Sequence, residues 1–201
     1  MKEQQLNHPY PAELEEELEH AGRHLMLRPI RPQDAAQHRR FLSLISPEDM
    51  RARFFDAVRQ LPEAQLAHFT QIDYDREMAF VAVGRDADGS EEILAVARAC
   101  PDPGKLTAEF AVLVRSDLKG RGLGRLLMDK LIGYCRAHGL RELWGSILTE
   151  NVPMKRLAQS LGFRVRGMEC SVEEVVLDLQ VQSSPLAQSP LPPAGGPAVC
   201  P

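Results

Sequence analysis

Val112-Leu-Val-Arg-Ser-Asp-Leu-Lys-Gly-Arg-Gly-Leu-Gly-Arg125 reads as a strand, a short turn and a glycine-rich passage into a strong amphipathic helix. Glycines at 120, 122 and 124 remove side chains where the backbone must pass close to something. The first amides of the helix then point outward without intrahelical partners. Together with the positive end of the helix dipole they make a site for phosphate. Arg115 to Arg136 holds six basic and two acidic residues, a net of +4 in a chain whose total is −4, so the expected ligand is an anion. The spacing is neither the G-x-G-x-x-G of a dinucleotide fold nor a P-loop with its G-K-[ST]. A ligand-free glycine turn is the plain alternative, but three glycines in five residues are costly at a helix start unless something approaches.

Working outward, Gly122–His138 carries Leu123, Leu127, Leu131 and Tyr134/Cys135 on one face at spacings of three and four, and Gly139 stops it. Upstream, Met78–Gly84, Ile93–Cys100 and Leu106–Val114 read as strands of an antiparallel meander, the first two joined across Asp86-Ala-Asp-Gly89. Downstream, Glu142–Leu148 is the next strand, Val152–Leu161 a short helix, and Phe163–Cys170 and Val172–Leu179 closing strands. The long helix joins Leu106–Val114 to Glu142–Leu148 as a crossover, so those two strands should run parallel. His24–Arg31 reads as a further strand. Helices follow through Ala35–Ile45, after Ser46-Pro-Glu-Asp49, and from Leu61-Pro-Glu to about Thr70. The expected fold class is therefore α/β (α+β): a mixed, mostly antiparallel sheet with one parallel pair near its middle, flanked by helices.

Length and composition agree with one soluble domain of ordinary hydrophobic and charged content. No apolar run approaches the roughly 18 to 20 residues of a membrane span, and residues 1–20, with five glutamates between Glu13 and Glu19, are not a secretory signal. The acidic balance argues against a nucleic-acid binder. Cys100, Cys135, Cys170 and Cys200 form neither a zinc motif nor a disulfide framework, so no metal and a cytoplasmic setting are expected. Three regions are anticipated: an acidic N-terminal extension over 1–22 with a short helix at Ala12–Glu19, a catalytic domain over 23–180, and a disordered proline-rich tail over 181–201. That tail holds six of the 15 prolines and no charge, so it cannot repay its ordering entropy by burial. A polyproline ligand for a partner is the functional alternative.

Lys119-Gly-Arg-Gly-Leu-Gly124 resembles the [Q/R]-x-x-G-x-[G/A] signature of the Gcn5-related N-acetyltransferases (GNAT). Asn151-Val-Pro-Met-Lys-Arg-Leu-Ala-Gln-Ser-Leu-Gly-Phe163 is similar to that family's N-x-x-A-x-x-L-Y-E-K-L-G-F block. A narrower likeness, to the acetyltransferase domain of Pat-type protein lysine acetyltransferases, lies in Leu27-Arg-Pro-Ile-Arg-Pro-Gln-Asp34, Arg53-Phe-Phe55, the Gln71–Ala79 segment and Ala108-Glu-Phe-Ala-Val112. The resemblance covers about residues 24 to 180. It implies acetyl-CoA as cosubstrate, with the pyrophosphate cradled by Lys119, Gly120, Arg121, Gly122, Leu123, Gly124 and Arg125. It also implies a parallel pair that splays, leaving an amide among Val112, Leu113 and Val114 to hold the oxyanion. Asn151 is expected at the pantetheine arm or as a helix N-cap. The implied acceptor is a protein with a reactive lysine, an acyl-CoA synthetase being the candidate. In several bacterial members the domain is joined to a nucleotide-binding or acyl-CoA-synthetase-like module, for which this length leaves no room.

Acetyl transfer to an amine needs the amine uncharged. A free lysine with pKa about 10.4 is neutral in only about one molecule in 2,500 at pH 7, a penalty of roughly 4.6 kcal/mol that a general base removes in large part. Glu109, in the apolar strand feeding the glycine loop, is the candidate base; partial burial there would raise its pKa. The Pat-type likeness places the catalytic glutamate at the same position, and a solvent-facing strand residue is the bland alternative. Ala158 stands where many relatives carry the tyrosine that protonates the leaving thiolate, so coenzyme A must leave as thiolate or take its proton from water. Asp73, Asp75 and Glu77 read either as an acidic patch for a basic substrate or as a solvated turn. Two other functions stay open: a small-amine acetyltransferase, and a non-catalytic acyl-CoA-binding sensor.

Overall fold

The structure, a computed structural model, describes residues 9–55, 62–85, 88–102, 104 and 106–180. The proline-rich tail over 181–201 lies outside the described residues, as do Leu61 and the Asp86-Ala87 half of the anticipated turn. Eight strands form one sheet: β1 (Glu16–His20), β2 (Arg23–Pro29), β3 (Met78–Arg85), β4 (Glu91–Pro101), β5 (Thr107–Val114), β6 (Glu142–Leu148), β7 (Arg164–Glu169) and β8 (Val172–Asp178). Their order is β1-β2-β3-β4-β5-β6-β8-β7. The helices are α1 (Ala35–Ser43), α2 (Pro47–Phe54), α3 (Glu63–Thr70), α4 (Leu123–Ala137) and α5 (Val152–Ser160).

The pairing is antiparallel except between β5 and β6, the parallel pair expected from the α4 crossover. α4 buries Leu127, Met128, Leu131 and Cys135 completely, as its spacing of apolar residues foretold. Each such leucine contributes about 2 kcal/mol by leaving water. Ser46 caps α2 by accepting from the Asp49 N–H at 3.2 Å, with Pro47 at the first helical position. Arg28 and Asp34 make a buried, two-pronged ion pair at 2.7 Å that ties β2 to the turn before α1. β8 inserts between β6 and β7, so the last two strands of the described residues reach the sheet out of sequence order.

One local expectation is corrected. Ala12–Glu19 is not an acidic helix: after one 3-10 turn at Ala12–Leu14 the chain runs as β1. The reason lies in the next residues. Ala21 and Gly22 take φ of +51° and +74°, the left-handed pair that closes a two-residue hairpin, so β1 folds back on β2. Repulsion among its glutamates is eased where Lys130 of α4 meets Glu16 at 2.8 Å.

The most consequential feature is how little β5 and β6 share. They pair only from Thr107↔Glu142 to Glu109↔Trp144, while β5 stays paired to β4 up to Val114↔Ala95. At the parting, Phe110 lays its ring over Gly145 of β6 and packs on Phe163, centroids 4.9 Å apart. A Cβ on Gly145 would sit 2.6 Å from the Phe110 Cε1 atom, so only glycine admits the ring there.

On the other side of the sheet, α1 buries His38 beside Phe41 and Phe69, with Nδ1 lacking a partner among the described residues. Burial, and then Arg98, push its imidazole from 6.5 down to about 4, with Asp34 opposing. The folded imidazole stays neutral where the unfolded one takes up a proton. Its contribution is therefore complete above pH 6.5 and lost as pH falls toward 4. Urea titrations from pH 7 to 4 are expected to show His38→Leu losing about 3 kcal/mol less stability than the wild type over that window.

Candidate active site

The glycine loop turns because two residues adopt left-handed backbone: Gly120 at φ +72° and Gly122 at +84°. A 3-10 turn at Ser116–Leu118 precedes them and α4 follows at once. The first helical bond runs from the Leu126 N–H to the Gly122 carbonyl at 3.0 Å. The N–H groups of Leu123, Gly124 and Arg125 precede it and have no helical acceptor. No side chain caps this end, and its first turn carries no acidic residue. Gly124 lies where a Cβ would meet Leu157 of α5 at 3.4 Å and Val114 at 3.5 Å, so helix, strand and α5 converge on it.

A cleft of about 630 Å³ fills the space between the parted strands. That is the size of a small-molecule site. Of the anticipated residues, Glu109, Val112, Leu113, Val114, Lys119, Gly120, Gly122, Leu123, Gly124, Arg125 and Asn151 line it. Arg121 does not line it. Its side chain is exposed, and its carbonyl is held at 2.6 Å by Nε2 of His20 from β1.

Strand alternation sorts the three amides of β5. The Arg115 N–H donates to Leu94 of β4 at 2.9 Å, so by period two the Leu113 N–H also faces β4. Those of Val112 and Val114 face the gap that β6 has left. Leu113 contributes its side chain to the cleft rather than its amide. Donors without ladder partners are expensive when dry, so they suit a ligand that lies along the strand.

Glu109 sits at the last residue where β5 still touches β6, opposite Cys100 on β4. About 17 Å of strand, at 3.4 Å per residue, separates it from Val114 and the glycine loop. The carboxylate is exposed, so the partial burial expected of it is not found. Asn151 Oδ1 caps α5, accepting from the Met154 N–H at 3.2 Å, and the residue lines the cleft as well. Ala158 is buried at 1% exposure, with no acid at that position. Burial pushes the Cys100 thiol up to about 11 and the Cys135 thiol up to about 12, so neither offers a ready thiolate.

Tertiary contacts add residues that no local pattern marked. Asp49 of α2 binds Lys119 and accepts from the Ser116 Oγ at 2.6 Å. Burial works to raise the Asp49 carboxyl, but these two partners outweigh it and hold it below the usual range. Arg51 meets Glu150 at 2.7 Å, so α2 is tied to both walls of the cleft. The Glu77 carboxylate, expected in a patch or a turn, instead pairs with Arg98 at 2.9 Å. Among the described residues, no group of three or more His, Cys, Asp or Glu is placed to hold a metal ion, and no helix is long and apolar enough to cross a membrane.

The profile of the acetyltransferase (GNAT) family matches residues 45–163, which include the glycine loop, both walls of the cleft and α5. The chain belongs to the GNAT family. Among curated relatives, an acetyltransferase of Pseudomonas aeruginosa is 34% identical over 144 residues, covering 71% of this chain and 76% of that protein. The acetyltransferase Pat of Mycolicibacterium smegmatis is 30% identical over 142 residues, covering 70% of this chain but only 41% of its own length. The solved GNAT domain of S. lividans PAT superposes with a TM-score of 0.75 at 26% identity, over 85% of this chain and 99% of that one. The Pat-type likeness read from the sequence thus has a counterpart in both comparisons, and the splayed mixed sheet is the GNAT fold. GNAT enzymes transfer acetyl groups from acetyl-CoA.

Gly122→Ala places a Cβ 3.2 Å from the His20 ring on left-handed backbone. It should cost about 1 to 2 kcal/mol, which a thermal melt reads as a drop of several degrees in Tm.

Proposed function

We propose that this protein moves the acetyl group of acetyl-CoA to a lysine side-chain amine of a protein in the cytoplasm, with Glu109 as general base. The observation that carries this reading is the cleft itself. It runs from three free N–H groups at the start of α4, past the unpaired amides of Val112 and Val114, to the carboxylate of Glu109. The residues fit coenzyme A: the amides of Leu123, Gly124 and Arg125 take the diphosphate, and Gly120 and Gly122 let it approach the main chain. Lys119 reaches a phosphate only by leaving Asp49, so the amides carry most of the grip. The pantetheine arm lies along β5 in place of the missing strand partner, beside Asn151.

At the far end the acceptor amine gives a proton to Glu109, directly or through water, and its nitrogen attacks the thioester carbonyl carbon. An N–H from the gap-facing edge of β5 receives the oxygen as it gains charge, and Val112 is the nearer of the two to Glu109. The C–S bond then breaks. Ala158 supplies no acid, so the thiolate, with a parent pKa near 8.5, takes its proton from solvent. Exposure of Glu109 suits a base that must meet a side chain delivered by a large partner. The likeness to Pat over 70% of this chain supports a protein acceptor.

Labelled acetyl-CoA with an acyl-CoA synthetase as acceptor tests the reading. Transfer to lysine is expected, and Glu109→Gln should lower kcat by about a hundred-fold or more while calorimetry finds its affinity for coenzyme A unchanged. Equal rates for wild type and variant would remove Glu109 from the chemistry. Transfer to small amines alone would replace the acceptor, and tight coenzyme binding without any turnover would make the protein a sensor.

A further inference from the structure

Arg53, in the last turn of α2, is the cation in the cleft that has no ion-pair partner among the described residues. The other arginines and lysines of the site are engaged: Lys119 with Asp49, Arg125 with Asp129 and Ser160, Arg98 with Glu77 and the Phe69 carbonyl. Among the described residues, Arg53 has no carboxylate within ion-pair distance and no hydrogen-bond acceptor. Its guanidinium carbon lies 5.0 Å from the centroid of the Phe54 ring. Burial, followed by repulsion from Arg98, disfavours its charged form, and only Glu109 and Cys100 favour it. A half-buried guanidinium held this way is under-satisfied: its N–H donors have lost part of their water, stay partly open to the cleft, and have no protein acceptor among the described residues. Its contact with Phe54 and its place at a helix C-terminus each return only about 0.5 to 1 kcal/mol.

Its position says which ligand it awaits. Glu109, Ala111 and Leu113 share one face of β5, opposite Cys100, Arg98 and Val96 of β4. Arg53 stands over that face, at the junction between the main cleft and a small chamber of about 30 Å³ bounded by His38, Phe54 and Phe69. Glu109 is near enough to act on it electrostatically, so the acetyl group would be delivered beside Arg53. The diphosphate has its own donors at the start of α4, beyond the Val114 end of the strand.

We propose that Arg53 binds a carboxylate that the acceptor presents beside its reacting amine. This rests on the reading of the chain as a lysine acetyltransferase and sharpens it. The preferred target lysine has an acidic neighbour, and the α-carboxylate of a free amino-acid acceptor offers the same chemistry. A guanidinium takes either one through two parallel N–H···O bonds.

Two matched pairs of acceptors separate the sources: a lysine peptide with Glu or with Gln beside the target, and free lysine against lysinamide. Initial rates at saturating acetyl-CoA are compared for wild type, Arg53→Gln and Arg53→Lys. In one pair the carboxylate-bearing member is expected to lead by about ten-fold in kcat/KM, the size of one charge-assisted contact. Arg53→Gln should bring that ratio near one and Arg53→Lys should keep part of it, with affinity for coenzyme A unchanged. A lead in the peptide pair identifies an acidic side chain, and a lead in the lysine pair identifies the α-carboxylate. A purely structural role would slow both members alike and leave the ratio standing. Equal rates within both pairs, or a lead that survives in Arg53→Gln, overturns the inference. So does a loss of coenzyme A affinity in that variant, which would assign the arginine to the coenzyme. If none of the four acceptors is acetylated, the lysine reading fails separately. Calorimetry of the same four ligands with the coenzyme A complex then decides for Arg53, equal affinities within both pairs overturning its role.

Discussion

The parting of β5 from β6 after three shared residues is what the rest of the molecule is arranged around. A central strand with one edge open pays for lost ladder bonds unless something replaces the missing neighbour. Here β5 remains paired to β4 from Ala108 to Val114, while the Phe110 ring over Gly145 occupies the point where the two strands divide. The consequence is a line of outward amides with a carboxylate at one end and a helix N-terminus at the other. In the proposed reading, binding and chemistry are laid out along one strand, and the same backbone that would hold an extended thioester would also receive its charge.

Electrostatics within the cleft separates two kinds of donor. In the proposed reading, an acidic protein would accommodate an anion here less through its basic side chains than through its main chain. Lys119 is tied to Asp49, Arg125 is engaged with Asp129 and Ser160, and Arg121 points away. What is left free at the loop is the start of α4, where partial positive charge is fixed by geometry and needs no side-chain ordering. Arg53 is the opposite case: a full charge, partly desolvated, with no ion-pair partner among the described residues.

Helix α2 connects these parts. Asp49 reaches the glycine loop, Arg51 reaches Glu150 beside α5, and Arg53 lies over the Glu109 face of β5. A helix of eight residues is too short to hold itself together in water, so its stability comes from these ties and from its Ser46 cap. The Glu109 end of the cleft is therefore shaped by an element that is itself tied to both walls of the cleft.

What could be read along the chain is what depends on neighbours a few residues apart. The 3.6-residue rhythm of Leu123, Leu127 and Leu131 marked α4, and the glycines at 120, 122 and 124 marked its exposed amides. The crossover topology followed from the element order. Glu109 was legible as a polar residue in an apolar strand, but its exposure was not, because that depends on what stands across the gap. The glutamate-rich run at 13–19 misled, since a hairpin closed by Ala21 and Gly22 overrides a weak helical pattern once β2 offers its edge. His20 at the Arg121 carbonyl, Asp49 on Lys119 and Arg53 beside Glu109 join residues 56 to 101 positions apart, and the insertion of β8 between β6 and β7 has no local mark either. Sequence by itself determined the elements and the glycine loop with its exposed amides, because periodicity and backbone freedom are local properties. Tertiary structure alone decided which charges are paired and which stand free, because a partner's distance is set by packing and not by position in the chain.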